Sequence, residues 1–284
     1  TTAGQMVLTL GDATGYVFFV VAAILYCLAL LPTAISATST PKPLTSVSLN
    51  LRALWKNSPI AVFAVLMVGI SNAAFGTLAA VYGARIDLSI GDVALFASVP
   101  ILAGALAQIP VGIASDSRDR RWVLIGAAIV ALIADGFFLS GFTTGTIFVL
   151  TASALFGAAV FSMYPVIVAH ANDHAAPGTY IQVSGGLLLV YGIGSIVGPT
   201  AAGFAMTSFG PSALFATTAI AHVLLITFAV LRILTAPPSD KEEKGSFQAA
   251  PLARMSTPET AAMAADEGEL AAYQADAENT LVPK

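Results

Sequence analysis

Residues 93–141 read VALFASVPILAGALAQIPVGIASDSRDRRWVLIGAAIVALIADGFFLSG, two apolar runs around one hydrophilic hexapeptide, Asp116-Ser-Arg-Asp-Arg-Arg121. A segment needs about 20 apolar residues to cross the hydrocarbon core of a bilayer, and each run meets that length. Neither run alternates polar with apolar residues, as a strand of a membrane barrel would. The stretch therefore reads as two membrane-spanning helices joined by a short basic turn.

The same pattern recurs on both sides. Seven segments qualify: Gly15–Ile35, Ser58–Gly83, Val93–Ser115, Trp122–Gly141, Thr144–Ala169, Tyr180–Ser208 and Ser212–Leu231. Of the 284 residues, 57% are hydrophobic and only 10% charged, where a soluble domain carries about 25% charged residues. An ordinary soluble enzyme is excluded, and the expectation is an all-α integral membrane protein with seven transmembrane helices. A net charge of −4 lacks the basic face that nucleic acid requires. The single cysteine, Cys27, permits no intramolecular disulfide.

Charge placement orients the spans. Alternating sides from the polar segment Ser36–Asn57 collects Lys42, Arg52, Lys56, Arg118, Arg120, Arg121, Arg232, Lys241 and Lys244 on one face and leaves Arg85 on the other. By the positive-inside rule the basic face is cytoplasmic. The tail after Arg232 holds nine of the sixteen acidic residues and is expected to be disordered and cytoplasmic. The domain boundaries expected are 1–36 for the end of an N-terminal half with one helix, 37–57 for a cytoplasmic linker, 58–234 for a six-helix bundle and 235–284 for the tail. An odd helix, a linker and six closely connected helices read as a six-plus-six protein without most of its first half.

The turn Gly112-Ile-Ala-Ser-Asp116-Ser-Arg118-Asp-Arg120-Arg121 resembles the cytoplasmic signature of the major facilitator superfamily: a glycine, an aspartate four residues later, then a basic pair. It stands after the second helix following the linker, the matching place in the second half of that fold. Ser117 and Asp119 depart from the pattern, where a basic residue and a glycine are common. A wider similarity, through Met163-Tyr-Pro165, Asp173-His174 and Gly185 to Gly203, points to a bacterial inner-membrane branch. The resemblance implies the sixth to twelfth helices of a twelve-helix transporter, its last six forming the C-terminal bundle of a major-facilitator-type fold. It also implies a cytoplasmic gating role for Gly112, Asp116, Arg120 and Arg121. Physically, Gly112 permits close helix approach, Asp116 suits a helix N-terminus, and Arg120 and Arg121 suit anionic headgroups.

Small residues recur at contact spacing. Gly104, Gln108 and Gly112 are four apart, as are Gly194, Gly198 and Ala202, while Gly69, Gly76 and Gly83 are seven apart. Gly194 to Gly203, with Pro199, resembles the Gly-Pro motif of superfamily antiporters, but on the symmetry-related helix, so a kink and close packing suffice to explain it.

Polar residues on the spans expected to line a cavity are the ligand candidates: Ser71, Asn72, Ser162, Tyr164, Gln182, Ser184, Tyr191 and Ser195. Each could equally serve an interhelical hydrogen bond. Asp135 is the one carboxylate well inside a span, a candidate for proton coupling. Its position 13 residues past Trp122, about 20 Å along the axis, places it near the outer interface within reach of water. His222 reads as a packing histidine, and His170, Asn172, Asp173 and His174 as residues that cap the next helix and set the cytoplasmic loop.

The function expected is secondary active transport of a small solute by alternating access, with the lipid bilayer, a coupling proton and the missing N-terminal half as partners. No phosphate-binding Gly-Lys-Ser/Thr loop, catalytic constellation or cofactor motif is present, so neither an enzyme nor a cofactor is expected. The alternative is a seven-helix receptor. It lacks retinal, because no lysine lies between Lys56 and Lys241.

Overall fold

The computed structural model describes residues 15–35, 50–141, 145–176 and 179–235, which hold eight helices and no strand. They are α1 (Val17–Ile35), α2 (Leu51–Asn57), α3 (Pro59–Arg85), α4 (Ile90–Ser117), α5 (Arg120–Leu139), α6 (Thr146–Asn172), α7 (Tyr180–Phe209) and α8 (Ala213–Thr235). The expected acidic tail and residues 37–49 of the expected linker lie outside the described residues.

Among the described residues, six helices, α3 to α8, are long and apolar enough to cross a membrane, and the expected count of seven is not confirmed. The first expected span coincides with α1, which is apolar along its length. The other six segments match α3 to α8 closely, because span length is a local property of apolar composition. The last residues of the expected linker form α2. Asn50 caps α2 by accepting a hydrogen bond from the Ala53 amide at 2.9 Å, and Leu54 is buried against the bundle.

Helix ends follow local chemistry. Pro59 starts α3 where no intrahelical N–H is needed. Ser89 caps α4 by accepting from the Asp92 amide at 3.2 Å while donating to its carboxylate at 2.7 Å. Asp119 caps α5 through the Arg121 amide at 3.0 Å. Gly210 turns the chain between α7 and α8 at φ 92°, a conformation other residues rarely adopt.

The bundle is built from two close helix pairs. α3 runs along α7, and α4 along α6; α5 packs on α6 and α8, and α8 also on α3. α3 and α6 bury the largest shares of their apolar stretches. Glycine sets both close pairs. A Cβ on Gly69 would stand 2.6 Å from the Tyr191 carbonyl oxygen, and one on Gly194 would stand 2.5 Å from that of Leu66. A Cβ on Gly104 would meet the Phe161 Cβ at 2.5 Å. Gly198 sits against the Ile70 backbone and Gly157 against Pro100. Removing side chains lets the backbones approach and gain dispersion contact, which replaces the missing hydrophobic drive between helices in lipid.

At one level of the bundle, Phe75, Tyr82, Phe96, Phe138, Phe156 and Phe215 from five helices form a continuous aromatic layer. Phe138 stacks on Phe215 at 3.7 Å between ring centroids. Tyr82 meets both rings edge-on, at 5.9 and 5.0 Å.

Candidate functional site

Three groups of polar side chains are set by this packing. The first lies at the Arg-rich end, where the turn between α4 and α5 meets the end of α6. Arg120 donates from Nε to the Asp173 carboxylate at 2.7 Å and from Nη1 to the Ser115 hydroxyl at 3.0 Å. Asp116, one helical turn before Arg120, stands 3.6 Å from the same guanidinium. The side chains of Arg120 and Asp173 are only 1% and 2% exposed, so this ion pair is screened little by solvent. Arg121 grips Asp119 through Nε and Nη2 at 2.8–3.2 Å. Burial pushes the Asp119 carboxyl up, but the hydrogen bonds and charge of Arg121 outweigh it and hold it below the ordinary carboxylate range.

The expectation that Arg120 and Arg121 lie at headgroups is therefore corrected: both are buried and hold carboxylates of the protein. Asp173, expected as a helix cap, is the main partner of Arg120, while His174 meets the His170 carbonyl through Nδ1 at 2.8 Å. Gly112 is buried on α4, as are Gly104 and Gln108 on the same face.

The second group lies between α3, α6 and α7. The rings of Tyr164 and Tyr191 meet nearly edge-on with centroids 5.6 Å apart. Tyr191 also presents its backbone to Gly69, and Asn72 follows Gly69 by one turn on α3. The Asn72 side chain is buried, and its Oδ1 has no hydrogen-bond donor among the described residues. A buried acceptor without a donor costs about 1–3 kcal/mol, so this atom is suited to meet one from a ligand or a water. Gln182, Ser184 and Ser195 are half-buried along α7. Ser162, by contrast, donates to the Ala159 carbonyl of its own helix at 2.9 Å.

Ser71 belongs elsewhere, to a third group. It meets Nε2 of His222 at 3.1 Å. Nδ1 of His222 meets Oδ2 of Asp135 at 2.7 Å, and Thr218 donates to Oδ1 at 2.7 Å. Asp135 and His222 are both fully buried. The expected position of Asp135 near water is thus overturned: Phe138 and Phe215 stack one turn away and α8 covers the carboxylate. His222 is a partnered histidine, but its partner is a carboxylate 87 residues distant in sequence. The spacing of Thr218 and His222, four apart on one face of α8, is the signal that could have pointed to an acceptor facing that helix.

The small-residue motifs divide. Gly69, Gly104, Gly194 and Gly198 make close contacts, and Pro199 is half-buried beside them. Gly203 faces open space and Gly76 is exposed, so neither makes the helix contact expected of it. Gly157, which the spacing did not single out, lies as close to a neighbouring backbone as Gly198 does, because Pro100 stands directly opposite.

The family model of the Major Facilitator Superfamily matches residues 60–263. Among curated proteins, the uncharacterized MFS-type transporter YcaD of Salmonella arizonae is 28% identical over 177 residues, 60% of this chain and 43% of that protein. The uncharacterized MFS-type transporter YfkF of Bacillus subtilis is 28% identical over 137 residues, 48% of this chain and 34% of that protein. YcaD of Salmonella paratyphi B is 32% identical over 130 residues, 44% of this chain and 31% of that protein. The chain thus spans less than half the length of the curated relatives it matches.

Proposed function

This chain belongs to the major facilitator superfamily, and on that footing we propose that it forms the C-terminal six-helix half of a secondary transporter for a small solute. In this reading it rocks against a second six-helix half, without an ATP step. The observation that carries the reading is the family match on a body whose six apolar helices pair through glycine-smoothed contacts. The seven-helix receptor alternative is not favoured by that match.

The exposed rows Leu102, Leu106, Ile109 and Ile113 on α4, and Ile193, Ile196 and Phe204 on α7, support apolar surroundings on those faces. The nine-to-one bias of basic residues supports a cytosolic Arg-rich end in an inner membrane. There the Arg120–Asp173 pair ties the signature turn to the end of α6 and acts as part of a gate. Asn72, Tyr164 and Tyr191 form the solute-facing site. Two aromatic rings and one acceptor without charge fit an amphipathic solute bearing a hydrogen-bond donor.

The test is gradient-driven flux of a panel of such solutes into vesicles holding the protein as the cell makes it. Flux above empty vesicles is expected, and Asn72→Leu raises the half-saturating concentration roughly tenfold, the equivalent of one lost hydrogen bond in a dry site. Flux no greater than in empty vesicles overturns the transport reading. Unchanged half-saturation in Asn72→Leu overturns the assignment of the site alone.

A further inference from the structure

The Asp135 group raises a question of charge that the solute site does not answer. Its carboxylate comes from α5, the imidazole of His222 and the hydroxyl of Thr218 from α8, and the hydroxyl of Ser71 from α3. From α6 the pair meets the Phe156 ring, 6.1 Å from that of His222. Tyr82 of α3 is a further titratable side chain on this side, edge-on to Phe138 and Phe215. The charged residues of the surrounding helices otherwise lie at or near helix ends: Arg85, Asp92, Asp116, Arg120, Arg121 and Arg232.

An ionised Asp135 beside a neutral His222 leaves a net negative charge in a dry, apolar body, which is costly. One additional proton removes it. The proton resides on the imidazole, giving an ion pair, or on the carboxyl, giving a neutral pair. Either way the hydrogen count at Nε2 changes. Without the extra proton, Nδ1–H donates to Asp135 and the bare Nε2 accepts from the Ser71 hydroxyl. With it, Nε2 carries a hydrogen and donates to Ser71 Oγ. The Ser71 hydroxyl must then turn to another acceptor, such as the carbonyl one turn back on its own helix. No bond other than N–H or O–H forms or breaks, and the proton comes from and returns to water.

We propose that Asp135, His222 and Ser71 form an internal proton-binding site whose occupancy reverses the Ser71 hydrogen bond and so reports to α3. Ser71 directly precedes Asn72, so the reversal takes place on the helix that carries the solute-site acceptor. The site requires no solute, and its proton binding stands or falls apart from the transport reading.

The measurement is nitrogen NMR of histidine-labelled protein in lipid nanodiscs across about pH 5 to 9, the range in which histidine switches operate. The chain has three histidines, and His222→Gln assigns the signal. In the unsubstituted protein, Nε2 of His222 gains a hydrogen on acidification. In Asp135→Asn, which keeps the shape and removes the charge, Nε2 stays in one state throughout. Ser71→Ala removes the partner of Nε2 in both states, so the Nε2 nitrogen shift moves at both ends of the pH range. It also decides the matter should Asp135→Asn not fold. An Nε2 state unchanged over the whole range, or an Nε2 shift that Ser71→Ala leaves unmoved at either end of it, overturns the proposal and leaves the group a static interhelical clamp.

Discussion

Gly194→Ala and Gly203→Ala add the same methyl group to the same helix and are expected to act in opposite directions. At position 194 the new carbon stands 2.5 Å from the Leu66 carbonyl oxygen and 2.9 Å from the Ile70 amide nitrogen. Comfortable approach of such atoms is about 3.5 Å, so α3 and α7 must part by about 1 Å. Both obstacles are backbone, and no rotamer change relieves them. Overpacking of this kind costs about 1–3 kcal/mol. Exchange of glycine for alanine within a helix returns about 1 kcal/mol, leaving a net loss of up to about 2 kcal/mol. At position 203 the methyl meets open space, so only the gain of up to about 1 kcal/mol remains. The assay is thermal unfolding in one detergent, followed by loss of the helical circular dichroism signal. Each kcal/mol moves the midpoint by about 2–4 °C in a protein of this size, so the two variants straddle the unsubstituted protein and differ by several degrees. A Gly194→Ala protein that melts at or above Gly203→Ala refutes the claim that backbone contact at Gly194 sets the distance between α3 and α7.

Two further outcomes concern the Arg-rich end. Asp173→Asn leaves the buried Arg120 guanidinium without its 2.7 Å carboxylate and is expected to cost about 3 kcal/mol, the lower end for breaking a buried pair because asparagine keeps an acceptor. A double-mutant cycle with Arg120→Gln in the same melting assay measures the coupling, and a value near zero removes the pair from any gating role. Asp119 has its carboxyl held below the ordinary value of about 3.9, so its contribution to stability is complete above that pH and is lost as pH falls through the depressed value. Below about pH 4, Asp119→Asn therefore shows a flatter decline of melting temperature than the unsubstituted protein, and parallel declines contradict the assignment.

Much of the molecule is legible from composition alone, and particular residues show where that legibility ends. The spans α3 to α8 were placed within a few residues, because crossing length is a sum over neighbours along the chain. Ser89, Asp119 and Pro59 mark helix starts through chemistry that acts within three residues. The signature turn 112–121 is likewise contiguous, and it carried the family. Gly69 and Gly76 are equivalent in sequence pattern, seven apart, yet one meets the Tyr191 backbone and the other is exposed, since helix rotation and tilt against a neighbour decide the matter.

The same reason separates the polar groups. Asp135 was visible as a carboxylate in an apolar run, but its partner His222 and the reassignment of Ser71 depend on α3, α5 and α8 meeting at one level. Arg120 and Asp173, 53 residues apart, are buried against each other only because α4, α5 and α6 end together. Apolar length, capping and charge asymmetry are local or additive, so the sequence by itself determined the spans, their ends and the family. Which side chains face one another across helices depends on rotation, tilt and close approach at distant positions, and those were decided by the tertiary structure alone.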